Sequence, residues 1–122
     1  MSKRILVVED EEDNRKIMHD LLASAGYDVI EAINGHEGVA MAASHKPDVI
    51  LMDIQLPGID GYEAVRQIKS QPELAHIPIF SVTSYALSGE DAKAREAGCD
   101  EYFSKPFSPF ALLAKVREYA PQ

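Results

Sequence analysis

Three acidic residues stand where short apolar runs end. "ILVV" runs straight into Glu9 and Asp10, and "DVILM" runs into Asp53. Carboxylates drawn together repel one another and resist losing water, so a cluster of them calls for a reason. Hard carboxylate oxygens suit Mg²⁺, which takes near-octahedral oxygen coordination and is often held by one or two carboxylates together with a phosphate. A carboxylate is also a nucleophile able to form an aspartyl-phosphate. Asp53 follows the most apolar run and precedes a turn-rich loop, "IQLPGIDG", which makes it the candidate nucleophile. Attack on phosphorus spreads charge over equatorial oxygens that need a metal and a cationic group nearby. Lys105 can supply the cation. Thr83, at the end of another apolar run, can donate a hydroxyl, with Ser84 beside it. Taken singly, Thr83 is an ordinary β-branched strand residue and Lys105 an ordinary surface lysine. Chemistry is indicated by the set. Glu11, Glu12 and Asp13 have a simpler reading, as acids that complement the dipole of a first helical turn.

These side chains meet only if the elements between them bring them together. "RILVVE" is a short β-branched apolar run and reads as a buried strand. Asp13 is the expected N-cap of a helix through "NRKIMHDLLASA", with Ile17, Leu21, Leu22 and Ala25 on its buried face and Gly26 as its stop. "YDVIEA" reads as a strand and "GHEGVAMAASH" as a helix ending before Pro47. "DVILMD" is a third strand, followed by the helix "GYEAVRQIKS" with Tyr62, Val65, Ile68 and Lys69 on adjoining turns. Pro78 opens the strand "IFSVTS", and "GEDAKAREAG" is a short polar helix ending at Gly98. "DEYFSK" is a weak fifth strand. "SPFALLAKVREYA" closes the chain, with Ser108 as N-cap and Pro109 in the first turn. Strict strand–helix alternation implies an α/β fold, a five-stranded parallel sheet with helices on both faces and right-handed crossovers. Sites in such sheets form outside the carboxyl ends of the strands, where Glu9, Asp10, Asp53, Thr83, Ser84 and Lys105 all fall. A cis bond before Pro106 is a candidate device for aiming Lys105 inward.

Composition sets the bounds. The chain has 122 residues, the size of one domain, and 46% of them are hydrophobic, which argues against disorder. Twenty acids against 12 bases leave a net charge of −8, which disfavours binding nucleic acid through its phosphates. Cys99 is the single cysteine, so no internal disulfide forms, and a small buried thiol is the expectation for it. No apolar run approaches a membrane span, and the N-terminal run is too short for a signal sequence, so the expected location is cytoplasmic. His19, His36, His45 and His76 are scattered without metal-ligand spacing and read as solvated. Phe107, Phe110, Leu112, Leu113 and Val116 make the last helix more apolar than one face needs. The surplus is available for a dimer or partner contact.

Four stretches carry a family resemblance: "ILVVEDE", "DVILMDIQLPGIDGYE" around Asp53, "IPIFSVTSYA" around Thr83, and "GCDEYFSKPF" around Lys105. Together, at this spacing, they resemble the receiver domain of bacterial two-component response regulators over essentially the whole chain, most closely the stand-alone single-domain receivers. The resemblance implies a flavodoxin-like fold with strand order 2-1-3-4-5, spanning residues 1–122 as one receiver domain without an output domain. It implies that Asp53 accepts a phosphoryl group from the phosphohistidine of a sensor histidine kinase. Mg²⁺ would be held by Glu9, Asp10, Asp53 and the backbone carbonyl of Gln55, and the phosphoryl group contacted by Thr83, Ser84 and Lys105. Tyr102 matches the family's switch aromatic. Thr83 and Tyr102 would move together and alter the face formed by the fourth helix, fifth strand and fifth helix. That face would meet a downstream target, a histidine phosphotransferase or a second copy of the chain. The implied role is a signalling switch rather than a metabolic enzyme. Ser84 departs from the alanine common in the family, and a bulky Tyr85 is expected to shield the phosphoryl group and lengthen its life. Three alternatives remain. A small-molecule phosphatase built on Asp53 would want an acid two residues on, where Gln55 stands. A pseudo-receiver would keep the fold for binding without the chemistry. A flavodoxin-like ligand module would need a glycine-rich phosphate loop where this chain carries acids.

Overall fold

The apolar runs form five parallel strands: β1 (Arg4–Val8), β2 (Asp28–Ala32), β3 (Val49–Asp53), β4 (Ile79–Thr83) and β5 (Glu101–Ser104). They are joined by α1 (Glu12–Ser24), α2 (Gly35–His45), α3 (Gly61–Lys69), α4 (Glu90–Ala97) and α5 (Pro109–Tyr119). The structure is a computed structural model that describes residues 2–83 and 89–122. Ser84 and Tyr85, singled out above, lie outside the described residues. The strand order is β2-β1-β3-β4-β5, the expected flavodoxin-like arrangement.

Every residue of β3 and β4 is buried, because helices cover both faces of the sheet at its centre. Alternate residues face opposite ways along a strand, so the core divides in two. Leu6, Val8, Ile50, Met52 and Ile79 meet α2, α3 and α4 through Ala42, Val65, Ile68 and Ala94. Ile5, Val7, Leu51, Phe80 and Val82 meet α1 and α5 through Met18, Leu22, Leu112 and Val116. Phe80 takes the edge of Tyr119 at a centroid distance of 5.0 Å. Cys99 is buried, and burial pushes its thiol up to about 11. Ser108 caps α5 as expected, its hydroxyl accepting from the Ala111 amide at 3.3 Å, with Pro109 next.

Two expectations for α1 need correction. Asp13 is not its N-cap. The helix starts at Glu12 with Glu11 at the cap position and no side-chain cap bond, while the Glu11 amide donates to the Glu9 carboxylate at 3.2 Å. Glu12 and Asp13 sit in the first turn, where acids are favoured by the dipole. Ile17 does not face the core: it is 59% exposed, and Met18 and Leu22, four residues apart, take the inward stripe. On α5, Leu112 and Val116 are buried, but Phe110 is 83% exposed.

Gly61 seats α3 against the strand that carries Asp53. A Cβ there would lie 2.3 Å from the Asp53 carbonyl oxygen and 2.6 Å from the Ile54 Cα, and the Gly61 amide donates to the Ile54 carbonyl at 3.0 Å. Backbone at that distance cannot yield as a side chain can. Gly61→Ala is therefore expected to destabilise the fold by about 2 kcal/mol or more. A melting temperature equal to wild type would show that α3 does not start against the end of β3.

Candidate functional site

Strand register assembles the site. Val8 pairs with Met52, which sets Glu9, just past β1, beside Asp53 at the end of β3. Asp53 pairs with Val82, one residue before Thr83, and Thr83 pairs with Ser104, one residue before Lys105. The Lys105 amide donates to the Thr83 carbonyl at 2.7 Å, and the Lys105–Pro106 bond is cis. Glu9 and Asp53 are 1% and 3% exposed, whereas Asp10 is exposed. Oxygens from these three carboxylates all lie within 4.8 Å of one another.

The two buried acids share one cation. The Lys105 ammonium is 2.9 Å from Glu9 Oε1 and 3.6 Å from Asp53 Oδ2. Amides of the following loops add further donors: Glu11 to Glu9, and Gln55 to Asp53 Oδ1 at 3.2 Å. One ammonium does not balance two buried carboxylates. Burial, the hydrogen bond with Glu9 and the charge of Glu9 raise the Asp53 carboxyl to about 7. Burial also works against Glu9, but its bonds with Asp53 and Lys105 outweigh that and hold it below the usual carboxylate range. Lys105 feels the same contest, and the two carboxylates win, keeping it protonated. Near neutral pH the Asp53 carboxyl is therefore only partly ionised. The donor set is all hard oxygen, one member opens to solvent, and positive charge is short. Those features fit a divalent oxygen-seeking cation such as Mg²⁺.

Thr83 and Gln55 meet across the same edge, the Gln55 side-chain amide donating to the Thr83 hydroxyl. Tyr102 is half-buried on β5 and packs against the α3–α4 side of the core, and burial with Glu90 and Asp91 nearby raises its phenol. A cleft of about 640 Å³ is lined by Asp10, Gln55, Pro57, Tyr62, Glu90 and Lys93. Glu90 is a residue the sequence did not reveal. An acid in the first turn of a polar helix reads as a dipole complement on the surface, yet Glu90 is 5% exposed and accepts from the Tyr62 hydroxyl at 2.5 Å. No local pattern marks that contact, because α3 supplies the partner. The histidines are largely solvated as expected, with His19 beside Glu31 at 3.2 Å.

Residues 5–117 match the family model described as the response regulator receiver domain. The chain belongs to this family. It is 41% identical over 119 residues to the polar-differentiation response regulator DivK of Brucella anthropi, covering 98% of this chain and 97% of that one. Among solved structures it is similar to the receiver domain of the sensor histidine kinase PA1611 from Pseudomonas aeruginosa, at 34% identity and TM-score 0.91 over 100% of both chains. That structure holds a magnesium ion in its active-site cleft. The chemotaxis protein CheY4 of Vibrio cholerae matches at 28% identity and TM-score 0.90, covering 98% of this chain and 99% of that one. As a receiver the chain is a two-component signalling switch. No helix among the described residues is long and apolar enough to cross a membrane.

The shared proton sets a pH dependence for this receiver. Asp53 is raised from 3.8 to about 7, so its contribution to stability is full below the unfolded value and is lost as pH rises through about 7. Glu9 runs the other way, contributing above 4.5 and losing that as pH falls through its lowered value. Without metal, the melting temperature should decline by several degrees between about pH 5 and 8 on account of Asp53. Asp53→Asn should flatten that decline, as measured by thermal melts in chelator. Equal slopes for the two proteins would mean that Asp53 does not carry the proton.

Proposed function

We propose that this protein is a response regulator that accepts a phosphoryl group on Asp53 from the phosphohistidine of a sensor histidine kinase in the cytoplasm. The observation that carries the reading is the buried Glu9–Asp53 pair beneath Lys105, with Asp10 open beside it. In the transfer, an Asp53 Oδ forms a bond to phosphorus as the P–N bond of the phosphohistidine breaks. The imidazole nitrogen leaves with the bonding pair and is neutral once its ring carries one proton. Asp53 must give up its proton first. Glu9, Asp10, Asp53 and the Gln55 carbonyl would hold Mg²⁺, which when bound supplies the positive charge that the acids and the phosphoryl oxygens lack. Lys105 already lies 3.6 Å from Asp53 Oδ2, within reach of an oxygen on the incoming group. Thr83 turns its hydroxyl from Gln55 to a second phosphoryl oxygen, and Ser84 is assigned a neighbouring contact on the sequence alone. Tyr102 follows Thr83, changing the face formed by α4, β5 and α5. That face meets a downstream protein, a histidine phosphotransferase or a second copy of the chain. This is a local charge event biasing a two-state element.

Two measurements test the reading. Incubation with Mg²⁺ and a small phosphodonor should give one hydroxylamine-labile phosphate adduct by intact-mass spectrometry, absent in Asp53→Ala. No adduct, under conditions that label another receiver, would make this a pseudo-receiver. Mg²⁺ at about 100 times its Kd should stabilise the fold by about 2.7 kcal/mol, which for a domain this size raises the melting temperature by about 10 °C. Asp10→Ala should lose most of that rise, and an unchanged wild-type melting temperature would sink the metal assignment.

A further inference from the structure

The cleft is also lined by a contact that the phosphoryl chemistry does not use. Glu90, first residue of α4, is a carboxylate at 5% exposure. Such groups are rarely buried without partners, because desolvating the charge is costly. Its Oε1 lies 3.4 Å from the ammonium of Lys93, one turn along the same helix and 65% exposed, a flexible and well-screened partner. Its Oε2 accepts from the hydroxyl of Tyr62 at 2.5 Å, and that hydroxyl also lies 3.4 Å from the Glu90 carbonyl oxygen, a tie that crosses from α4 to α3. Burial and the Glu90 carboxylate push the Tyr62 phenol well above its ordinary range, so it stays a donor at any physiological pH. Tyr62 and Tyr102 pack against the same core cluster, and Glu90 also raises the Tyr102 phenol. Tyr62 and Glu90 thus join α3 to α4 near Tyr102 of β5, and both line the cleft that Asp10 and Gln55 also line.

An apolar pair would hold α4 to α3 without burying a charge. A hydrogen bond is made or broken, and that suits a junction with two arrangements. We propose that the Tyr62–Glu90 hydrogen bond is a latch that holds α4 in its unphosphorylated position and opens when Asp53 is phosphorylated, a proposal that rests on Asp53 being the phosphoacceptor. Breaking the latch without phosphate raises the population of the arrangement that phosphate favours. Any ligand selective for that arrangement then binds more tightly by the same factor.

The test compares wild type with Tyr62→Phe, Glu90→Ala and Glu90→Gln. Beryllofluoride with Mg²⁺, a phosphoryl mimic, is titrated onto each. Amide hydrogen exchange in α4 is measured with no mimic present. Tyr62→Phe, which removes both bonds, should exchange about tenfold faster in α4 with α1 unchanged and bind beryllofluoride roughly three- to tenfold more tightly, and Glu90→Ala, which keeps only the longer bond to the Glu90 carbonyl, should move in the same direction. Glu90→Gln keeps a carbonyl acceptor for Tyr62 and should stay within about twofold of wild type. A Glu90→Gln protein that behaves like Glu90→Ala would assign the effect to charge and overturn the latch. So would faster α4 exchange with unchanged beryllofluoride affinity, which would make the contact a local tie. Wild type that takes no beryllofluoride overturns the phosphoacceptor reading and the coupling with it. Wild type that binds it while the variants match wild type overturns the latch alone.

Discussion

One ammonium facing two buried carboxylates is the interaction on which this site depends. Lys105 reaches Glu9 and Asp53 from the far side of the sheet, and its charge lets both acids stay out of water. Compensation is incomplete, and the remaining deficit raises the Asp53 carboxyl toward neutral pH. The shortage has a chemical use. A site short of one positive charge favours an incoming cation, and such a cation would ease ionisation of the acid pair. Full neutralisation by a second lysine would remove both properties.

The arrangement follows from parallel pairing. Glu9, Asp53, Thr83 and Lys105 come from β1, β3, β4 and the end of β5, and each lies at or one residue beyond a strand's last paired residue. A shift of one residue in any strand would swap its faces and send its functional group away from the others. The buried apolar alternation thus holds the chemistry in place. Gly61 extends the same control to the loop after β3, since α3 begins in contact with the Asp53 backbone.

Much of this was legible in the sequence because the signals were local. Apolar runs gave the strands, Gly26, Gly98 and Ser108 marked helix ends, and the rule for parallel sheets gathered the acids at one edge. What was not legible depended on tertiary context. The α1 stripe was misassigned because Ile17 and Met18 are adjacent and both apolar, and a small rotation of the helix decides which is buried. Residue type alone favours Asp13 as a cap, but the Glu9 side chain engages the Glu11 amide and the helix begins at Glu12. Glu90 looked solvated because its burial comes from α3, whose Tyr62 is 28 positions away. Tyr62 and Val65 share one amphipathic pattern, and nothing local marks the tyrosine's bond to Glu90.

The sheet is unevenly held. β3 is buried along its whole length between two neighbours, whereas β5 is a four-residue edge strand, half-buried and paired on one side to β4. The acids sit on the well-held strands, and Tyr102 and the approach to Lys105 belong to the edge. Mechanical compliance therefore rises from the centre of the sheet toward β5. The topology thus places the acid pair on the most closely packed strands and Tyr102 on the most lightly paired one.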